Sequence, residues 1–445
     1  MRKSQKSQAE HTIDLMDTAL GEIRKALERK ETGLVLDLLG QCQDAAIAVG
    51  NMIEAEEGEG TTAVHLLEEY CELLYQIYEA VTQEQPVNVP GSCKVLRKKL
   101  VQVRNSIRND IRIRKEVVFL PYKASMWDSL ESVWRAAVED ENCDAYVVPI
   151  PYYDKNPDGS FAQMHYEGSL YPEDVPVVNY EEYDFEGRRP DMIFIHNPYD
   201  ECNYVTSVHP FFYSSNLKKF TDKLVYIPYF VLSEIDPDNQ EAVKGMAHFC
   251  TCPGVVNANR VIVQSENMRK AYINVLTEAM GADTRKIWEE KILGLGSPKF
   301  DKAQGTRREE IDIPEDWLRI IEKQDGSQKK IILYNTSVNA LLHYDRKMLE
   351  KIKSVLEIFR SEKEAVALLW RPHPLIEATI ASMRPKLWED YREIVEKYRQ
   401  EGWGIYDDSA DLNRAVALAD AYYGDGSSVV QLCQSVGMPV MIQQP

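Results

Sequence analysis

Residues 421–436 read AYYGDGSSVVQLCQSV, and this stretch decides how the C-terminal part of the chain folds. Its first three residues are typical of a short buried strand, and its second half has apolar residues at helical spacing. Gly424 and Gly426 between them allow a tight turn, and Ser427 and Ser428 are residue types that cap helices. The stretch predicts a strand, a turn and a helix whose N-terminus binds an anion such as a phosphate. An ordinary serine-capped turn is the alternative.

Short apolar runs of the same kind alternate with helical stretches from residue 116 onward, which indicates buried parallel strands in an α/β fold. A first series lies at 117–120, 145–150, 192–195, 224–227 and 261–263, and a second at 331–334, 365–370, 404–406, 421–423 and 440–442. We therefore predict two doubly wound parallel-sheet domains, 116–303 and 331–445, which face a cleft and are joined by a linker, 304–330. Ligands of open parallel sheets bind beyond the carboxyl ends of the strands, so the residues that follow each strand are the candidates.

The first 115 residues have the pattern of a helical bundle. Apolar residues recur at steps of three and four over 13–27, 67–81 and 96–111, which predicts three amphipathic helices. The third, 94–115, is strongly basic, and two interpretations stay open. It allows peripheral contact with anionic lipid headgroups, or it pairs with the acidic helices before it, which we favour. The bundle also allows association into a homo-oligomer.

The composition excludes several classes of protein. The 445 residues carry 52 Lys and Arg against 71 Asp and Glu, a net charge of −19, which argues against a nucleic-acid partner. The start of the chain has no apolar core of the kind found in signal peptides, and no run of about 18 apolar residues follows. We expect a cytoplasmic protein whose eight cysteines are reduced and which holds no metal.

Further polar residues follow the predicted strands of the C-terminal domain. Arg371 and His373 come directly after the strand 365–370, where a cationic fork and a titratable donor suit a pyrophosphate. Asn335, Thr336 and Ser337 follow the strand 331–334, where amides and hydroxyls are able to bind a nucleotide or phosphate. Because the carboxyl ends of parallel strands meet at one edge, we expect these groups to converge with the turn at Gly424.

The first α/β domain offers a candidate base. His196 ends the strand 192–195, and a histidine there is able to take a proton from a hydroxyl. A buried histidine bonded to the backbone is the equally weighted alternative. Asn197, Asp200 and His209 are further candidates on the acceptor side. A tyrosine-rich loop, 149–190, is longer than a simple connection and is predicted to cover the acceptor.

Three parts of the sequence together resemble the CDP-glycerol glycerophosphotransferase family of teichoic-acid polymerases and primases. They are Arg371-Pro372-His373-Pro374, the stretch 420–439, and Gly296, Pro298 and Asp301, which are similar to the family's G-x-P-x-x-D signature. The resemblance covers residues 115 to 445. His196 lies in Ile-His-Asn-Pro where the family has Trp-His-Gly-Thr, and Leu432 replaces an acid common in the family.

The resemblance implies a GT-B fold and the transfer of glycerol phosphate from CDP-glycerol to a polyol, glycolipid or polymer hydroxyl, without a cofactor. It also implies that Arg371, His373, Ser427 and Ser428 hold the donor diphosphate, that Asp425 supports the turn before Gly426, and that His196 is the base; His373 is the second residue implied in catalysis. Such an enzyme is cytoplasmic or lies on the inner face of the plasma membrane. Two alternatives stay open: a GT-B glycosyltransferase or epimerase that uses a UDP-sugar, and an inactive GT-B binding or scaffold protein.

Overall fold

The computed structural model describes residues 1–156, 158–409 and 411–444. The chain divides into two compact units, Met1–Val117 with Ala137–Asp144, and Val118–Ala136 with Ala145–Pro445. The first unit contains the helical bundle, and the second contains most of both parallel sheets. Within the described ranges, no helix combines the length and the apolar character needed to cross a membrane.

The bundle has four helices, one more than the sequence predicted. They are α1 (Lys3–Arg29), α2 (Thr32–Glu57), α3 (Thr62–Thr82) and α4 (Val89–Asp110). The prediction missed α2 because no glycine or proline marks the break before it. The chain turns instead at Lys30, which adopts a left-handed conformation with φ 58° and closes the end of α1.

The basic helix α4 pairs with acidic side chains of neighbouring helices, as we favoured, although its main partner α1 carries as many basic as acidic residues. The ion pairs are Arg97–Asp17 (3.1 Å), Arg104–Asp14 (2.6 Å), Arg108–Glu10 (3.4 Å) and Lys99–Glu69. Most of these partners lie on α1, and only Glu69 belongs to the helix that directly precedes α4. Such largely exposed pairs contribute at most about 1 kcal/mol each. Contact of α4 with lipid headgroups stays a prediction.

A six-stranded sheet forms the first lobe. The strands and helices of this lobe, including three strands of a separate small sheet, are β1 (Lys115–Leu120), α5 (Glu131–Glu139), β2 (Cys143–Val147), β3 (Tyr152–Lys155), β4 (Phe161–His165), α6 (Phe185–Arg188), β5 (Met192–Ile195), β6 (Thr206–Val208), α7 (Ser214–Leu217), β7 (Lys223–Tyr226), α8 (Gln240–Cys250), α9 (Pro253–Asn257), β8 (Arg260–Ile262), α10 (Glu266–Met280), α11 (Arg285–Lys291) and β9 (Ile292–Leu293). The sheet order is β2-β1-β5-β7-β8-β9, and β5, β7, β8 and β9 pair in parallel. A short 3-10 turn, Ala124–Ser129, follows β1.

Strands β3, β4 and β6 form a separate antiparallel sheet in the order β4-β3-β6. We call it the small sheet. Two of its strands lie in the tyrosine-rich segment 149–190, which the sequence analysis treated as a loop. Three of that segment's tyrosines, Tyr152, Tyr171 and Tyr183, are buried.

A five-stranded parallel sheet forms the second lobe. Two connecting helices come first, α12 (Pro298–Gly305) and α13 (Glu315–Ile321), and then β10 (Lys330–Thr336), α14 (Val338–Tyr344), α15 (Arg346–Ser361), β11 (Val366–Pro372), α16 (Ile376–Met383), α17 (Pro385–Glu401), β12 (Ile405–Tyr406), α18 (Leu412–Leu418), β13 (Ala421–Gly424), α19 (Ser428–Ser435) and β14 (Val440–Ile442). The order is β12-β11-β10-β13-β14, with every neighbouring pair parallel. Apolar helix faces cover both sides, with separate clusters around Leu333 and Trp370.

The predicted fold class is confirmed. An α-helical bundle precedes two α/β lobes with parallel sheets, and each of the ten predicted apolar runs overlaps a strand. The short edge strand β9 and the small sheet were not predicted. The connection between the lobes is partly helical, and Trp317 of α13 is buried against the second-lobe core.

Candidate functional site

The loops after three adjacent strands of the second lobe meet at one edge. In the parallel register, Asn335 on β10 lies opposite Arg371 on β11 and opposite Gly424 on β13. The predicted C-terminal candidates are therefore brought together at the carboxyl edge of this sheet. Further along, the His373 amide donates to the Thr336 carbonyl at 2.9 Å, which joins two of the loops directly.

Asn335 links all three loops through its side chain. Its amide nitrogen donates to the Arg371 carbonyl at 2.8 Å, and its amide oxygen accepts from the Ser427 hydroxyl at 3.0 Å. The residue is only 4% exposed. Asn335 thus holds the edge together from inside and does not face solvent. Thr336 and Ser337 are buried as well.

Asp425 supports the turn from beneath. One carboxylate oxygen accepts from the Ser337 amide and the other from the Gln443 side chain, each at 2.6 Å. Burial raises the pKa of Asp425 above its usual value, while these hydrogen bonds act in the opposite direction. Both oxygens are satisfied, so the side chain organises the turn and leaves contact with a ligand to its neighbours.

The surface of this turn is formed by Gly426, Ser427 and Ser428. Gly426 and Ser428 are exposed, and Ser427 caps α19 by accepting from the Val429 amide. Within the described residues, no acceptor is recorded for the amides of these three residues. Three N–H groups at the positive end of a helix are therefore available to an anion.

Arg371 occupies a different position from the one expected. It is 5% exposed, and its guanidinium pairs with the fully buried carboxylate of Asp407 and donates to the Ser409 carbonyl at 2.7 Å. A buried carboxylate needs a cationic partner, and removal of that partner is costly. The arginine is thus committed to the loop after β12 and does not face an incoming donor.

His373 reaches the surface. Its Nδ1 accepts from the Leu375 amide at 3.1 Å, so the neutral ring carries its proton on Nε2, for which no partner is recorded within the described chain. Partial burial lowers the pKa of His373 from its usual value. The ring therefore presents a neutral N–H donor at this edge near pH 7.

A groove of about 420 Å³ begins beside His373. Its walls include the aromatic side chains of Trp388 and Tyr406 and the arginines Arg392 and Arg399. Trp388, Arg392 and Arg399 recur at steps of four and seven along α17, a spacing that places them on one helix face. These residues were not predicted from the sequence, although their spacing on one helix face was a signal that could have identified them.

His196 lies entirely inside the first lobe. The ring has no exposed surface, its Nε2 accepts from the Tyr122 amide at 3.1 Å, and its Nδ1 lies 2.8 Å from the Ser129 hydroxyl. Ser129 in turn donates to the Met126 carbonyl, so the ring donates from Nδ1. Desolvation, with a smaller effect of Lys299, lowers the pKa of His196 to about 3. This is the geometry of the backbone-bonded alternative and differs from that of an accessible base.

The other first-lobe candidates also differ in exposure. Asp200 is 2% exposed, has φ 45°, and accepts hydrogen bonds from the Ser214 amide and hydroxyl, while burial raises its pKa to about 7. Asn197 is buried. His209 is exposed, and its Nδ1 accepts from the Phe211 amide at 3.2 Å. Of these residues, only His209 reaches the surface.

The signature Gly296, Pro298 and Asp301 begins α12 at the junction of the lobes. Gly296 has φ 108°, Pro298 lies in the first turn, and Asp301 accepts from the Ser132 hydroxyl at 2.7 Å. Lys299 lies within the same signature.

Asp128 of the first lobe contacts Lys299 of α12 and Asn413 of the second lobe. The Lys299 ammonium contacts both carboxylate oxygens of Asp128 at 2.6 and 2.7 Å, and the Asn413 amide of α18 lies 3.5 Å from the same carboxylate. The Asp128 and Lys299 side chains are each only 12% exposed. We call these three residues the junction triad. Among the described residues, no group of three or more His, Cys, Asp or Glu side chains is placed to hold a metal ion.

Comparison with known proteins gives matches to solved structures only. No family model and no curated protein matches the chain. Similar structures include S. aureus MnaA with UDP (12% identity, TM-score 0.43, covering 74% of this chain and 78% of that one). Others are Neisseria meningitidis UDP-GlcNAc 2-epimerase bound to UDP-GlcNAc (11%, 0.40, 74% and 82%) and the wall teichoic acid polymerase TagF (12%, 0.38, 84% and 79%). At these values the likeness carries no argument about substrate.

Proposed function

We propose that the chain is a transferase that moves glycerol phosphate, or a related polyol phosphate, from a CDP-activated donor to an acceptor hydroxyl. One observation carries the proposal: Asn335 joins three strand ends into a single edge on which the turn amides and His373 stay open. The sequence resemblance at 371–374 and 420–439 supports the choice of donor. A polymer or glycolipid hydroxyl is the acceptor that the resemblance implies.

The donor diphosphate binds at the N-terminus of α19. The amides of Gly426, Ser427 and Ser428 donate to phosphate oxygens, and the Ser428 hydroxyl adds a further donor. His373 donates from Nε2 and, being neutral, costs little to desolvate beside the ligand. Arg371 acts indirectly, because its pairing with Asp407 fixes the loop that borders the site.

The nucleoside occupies the groove beside His373. A base stacks on the partly exposed Trp388, since every nucleobase presents a π-face to an aromatic ring. The Tyr406 ring is already covered by the Arg399 guanidinium, 4.4 Å from its centroid. The exposed side chains Arg392 and Arg399 lie along the same wall. This placement leaves the phosphates at the turn and directs the polyol end of the donor away from the groove.

In the reaction, the acceptor oxygen attacks the phosphorus that bears the polyol, and the bond from that phosphorus to the nucleoside monophosphate breaks. Hydrogen bonds from the turn and from His373 stabilise the charge that develops on the departing phosphate. Placement and electrostatics supply most of the catalysis in such phosphoryl transfers. His196 is not assigned a role in this scheme.

The test is nucleotide binding and release by the full chain. We expect CDP to stabilise the protein against heat, and CDP-glycerol with glycerol as acceptor to release CMP. His373→Ala removes one charge-assisted hydrogen bond and should weaken CDP binding about 10- to 100-fold. The matched control is His343→Ala, since His343 is an exposed histidine near the far end of α14.

The outcomes separate the alternatives. Release of UDP from a UDP-sugar, with no response to CDP, would favour the glycosyltransferase or epimerase. Absence of binding by any nucleoside diphosphate in calorimetry would overturn the proposal and leave a binding or scaffold role. Equal CDP affinity in His373→Ala and wild type would remove His373 from the site.

A further inference from the structure

The small sheet holds a histidine–carboxylate pair outside the site described above. The His165 Nε2 on β4 lies 2.7 Å from the Asp154 Oδ2 on β3. Tyr152 is directly opposite His165 in the antiparallel register, so Tyr152, Asp154 and His165 project from the same face of the small sheet. We call Asp154 and His165 the dyad.

Packing fixes the dyad on one side. The His165 ring stacks on the Tyr152 ring with centroids 5.0 Å apart and an interplanar angle of 20°. The Tyr152 hydroxyl donates to Glu167 at 2.7 Å, and the other oxygen of Glu167 accepts from the Ala124 amide at 2.8 Å. The imidazole is thereby held against a rigid support.

The hydrogen bond sets the tautomer of His165. An ionised Asp154 carboxylate accepts only, so Nε2 carries the proton and Nδ1 keeps a lone pair. No partner of Nδ1 is recorded within the described residues, and the side chain is 31% exposed. A base oriented by a carboxylate on its opposite nitrogen is the arrangement that activates hydroxyl nucleophiles. His196, by contrast, has no carboxylate on either nitrogen within the described residues and has no exposed surface.

Hydrogen bonds connect the support of the dyad to the turn after β1. Glu167, which supports Tyr152, is bonded to Ala124 at the start of the 3-10 turn after β1. The same turn contains Asp128, which contacts Lys299 and the second-lobe residue Asn413. The dyad is thus attached to the segment through which the first lobe meets the second.

We infer that His165 is the base that activates the acceptor and that Asp154 is its positioning residue; the inference rests on the proposed function. The acceptor O–H bond breaks and its proton passes to Nδ1 of His165. The acceptor oxygen forms its bond to the phosphorus as the nucleoside monophosphate leaves with the electron pair of the broken bond. The imidazolium is stabilised by Asp154 and then releases its proton to water.

The first experiment compares transfer and binding in the full chain. With CDP-glycerol as donor and glycerol as acceptor, His165→Ala should lose about 10²- to 10⁴-fold in CMP release and keep the wild-type affinity for CDP. Asp154→Asn should lower kcat with little change in KM for the donor. The matched control is His65→Ala, because His65 pairs with Glu68 at 3.2 Å on the exposed face of α3 and lies outside both lobes.

The second experiment needs no turnover. Selective ¹⁵N labelling of histidine in wild type should show neutral His165 as the Nε2–H tautomer with an unprotonated Nδ1. A wild-type ring protonated on Nδ1 would overturn the inference whatever the donor proves to be. CMP release by His165→Ala within about threefold of wild type would also overturn it, whereas loss of CDP binding by the wild type would overturn the proposed function instead.

Discussion

The buried ring of His196 connects the end of β5 to the chain after β1. Because its nitrogens satisfy the Tyr122 amide and the Ser129 hydroxyl, replacement by alanine leaves a buried donor without a partner and opens a cavity. We expect His196→Ala to lower the free energy of unfolding by about 2–4 kcal/mol. Urea unfolding measures the change, and His248→Ala, at an exposed position, is the control.

The contribution of His196 depends on pH with a definite sign. Its pKa is about 3 in the folded state against 6.5 for the unperturbed side chain, so below pH 6.5 the unfolded chain binds the extra proton. The stability difference between wild type and His196→Ala should be complete above pH 6.5 and shrink as the pH falls toward 3. A difference that stays constant over this range would contradict the buried neutral ring.

Asp200 should show the opposite dependence. Burial raises its pKa from 3.8 to about 7, so between these values the folded chain binds more protons than the unfolded one. Wild-type stability attributable to Asp200 is therefore complete below pH 4 and is lost as the pH rises to 7. Asp200→Asn keeps an acceptor for Ser214 and should remove this slope, so that the variant is more stable than wild type by about 4 kcal/mol at pH 8. A stability difference between Asp200→Asn and wild type that is the same at pH 4 and pH 8, measured by urea unfolding, would refute this.

At the scale of the elements, the end of β13 requires a glycine at position 424. Gly424 has φ 155°, and an added Cβ would lie 2.2 Å from the Asn335 carbonyl oxygen. Gly424→Ala should therefore separate β13 from β10, with a loss of about 3 kcal/mol or more in stability. Gly426→Ala is the matched control, since nothing lies within 4 Å of its added Cβ and its stability should change by less than about 1 kcal/mol. Thermal unfolding followed by circular dichroism compares the two variants.

The strands that could be predicted from sequence are those whose burial is continuous. A parallel strand covered on both faces has a continuous apolar run, as β10 has at 331–334 and β11 at 366–370, and such a run is visible without a partner. The small sheet escaped prediction because β4 is exposed for four of its five residues and has no such run. The break at Lys30 escaped because a non-glycine residue makes the turn.

The sequence predicts which strand ends meet at the candidate site, but it does not predict the orientation of each side chain there. Strand ends identify where Asn335, His373 and Ser427 converge, because the carboxyl ends of a parallel sheet share one edge. The orientation of Arg371 depends on Asp407, which is 36 residues away and becomes its neighbour only through the pairing of β11 with β12. His196 was ambiguous for the same reason, since its partner Tyr122 is 74 residues away.

At the scale of the whole molecule, the junction triad connects the turn after β1 with α12 and α18. Removal of the ammonium in Lys299→Met leaves the nearly buried Asp128 carboxylate with Asn413 alone. We expect a loss of about 1–3 kcal/mol and faster amide hydrogen exchange over 124–129 and in α18. The control is Lys25→Met, which removes the exposed Lys25–Glu22 pair and should cost less than about 1 kcal/mol. Unchanged exchange in both segments would show that the triad does not restrain the lobes.

The hydrogen bonds of Asn335 to Arg371 and Ser427 also have a consequence for the order in which the chain folds. The acceptor carbonyl of Arg371 is 36 residues further along the chain, and the Ser427 hydroxyl is 92 residues further. Contacts so distant in sequence form late, because the entropy cost of closing a long loop precedes the stabilisation that the contact provides. When a ribosome-bound chain has emerged only through β11, Asn335 at the end of β10 therefore still lacks Ser427. If the proposed function holds, nucleotide binding should accordingly appear only after α19 has left the ribosome, which makes it a marker of the folded edge.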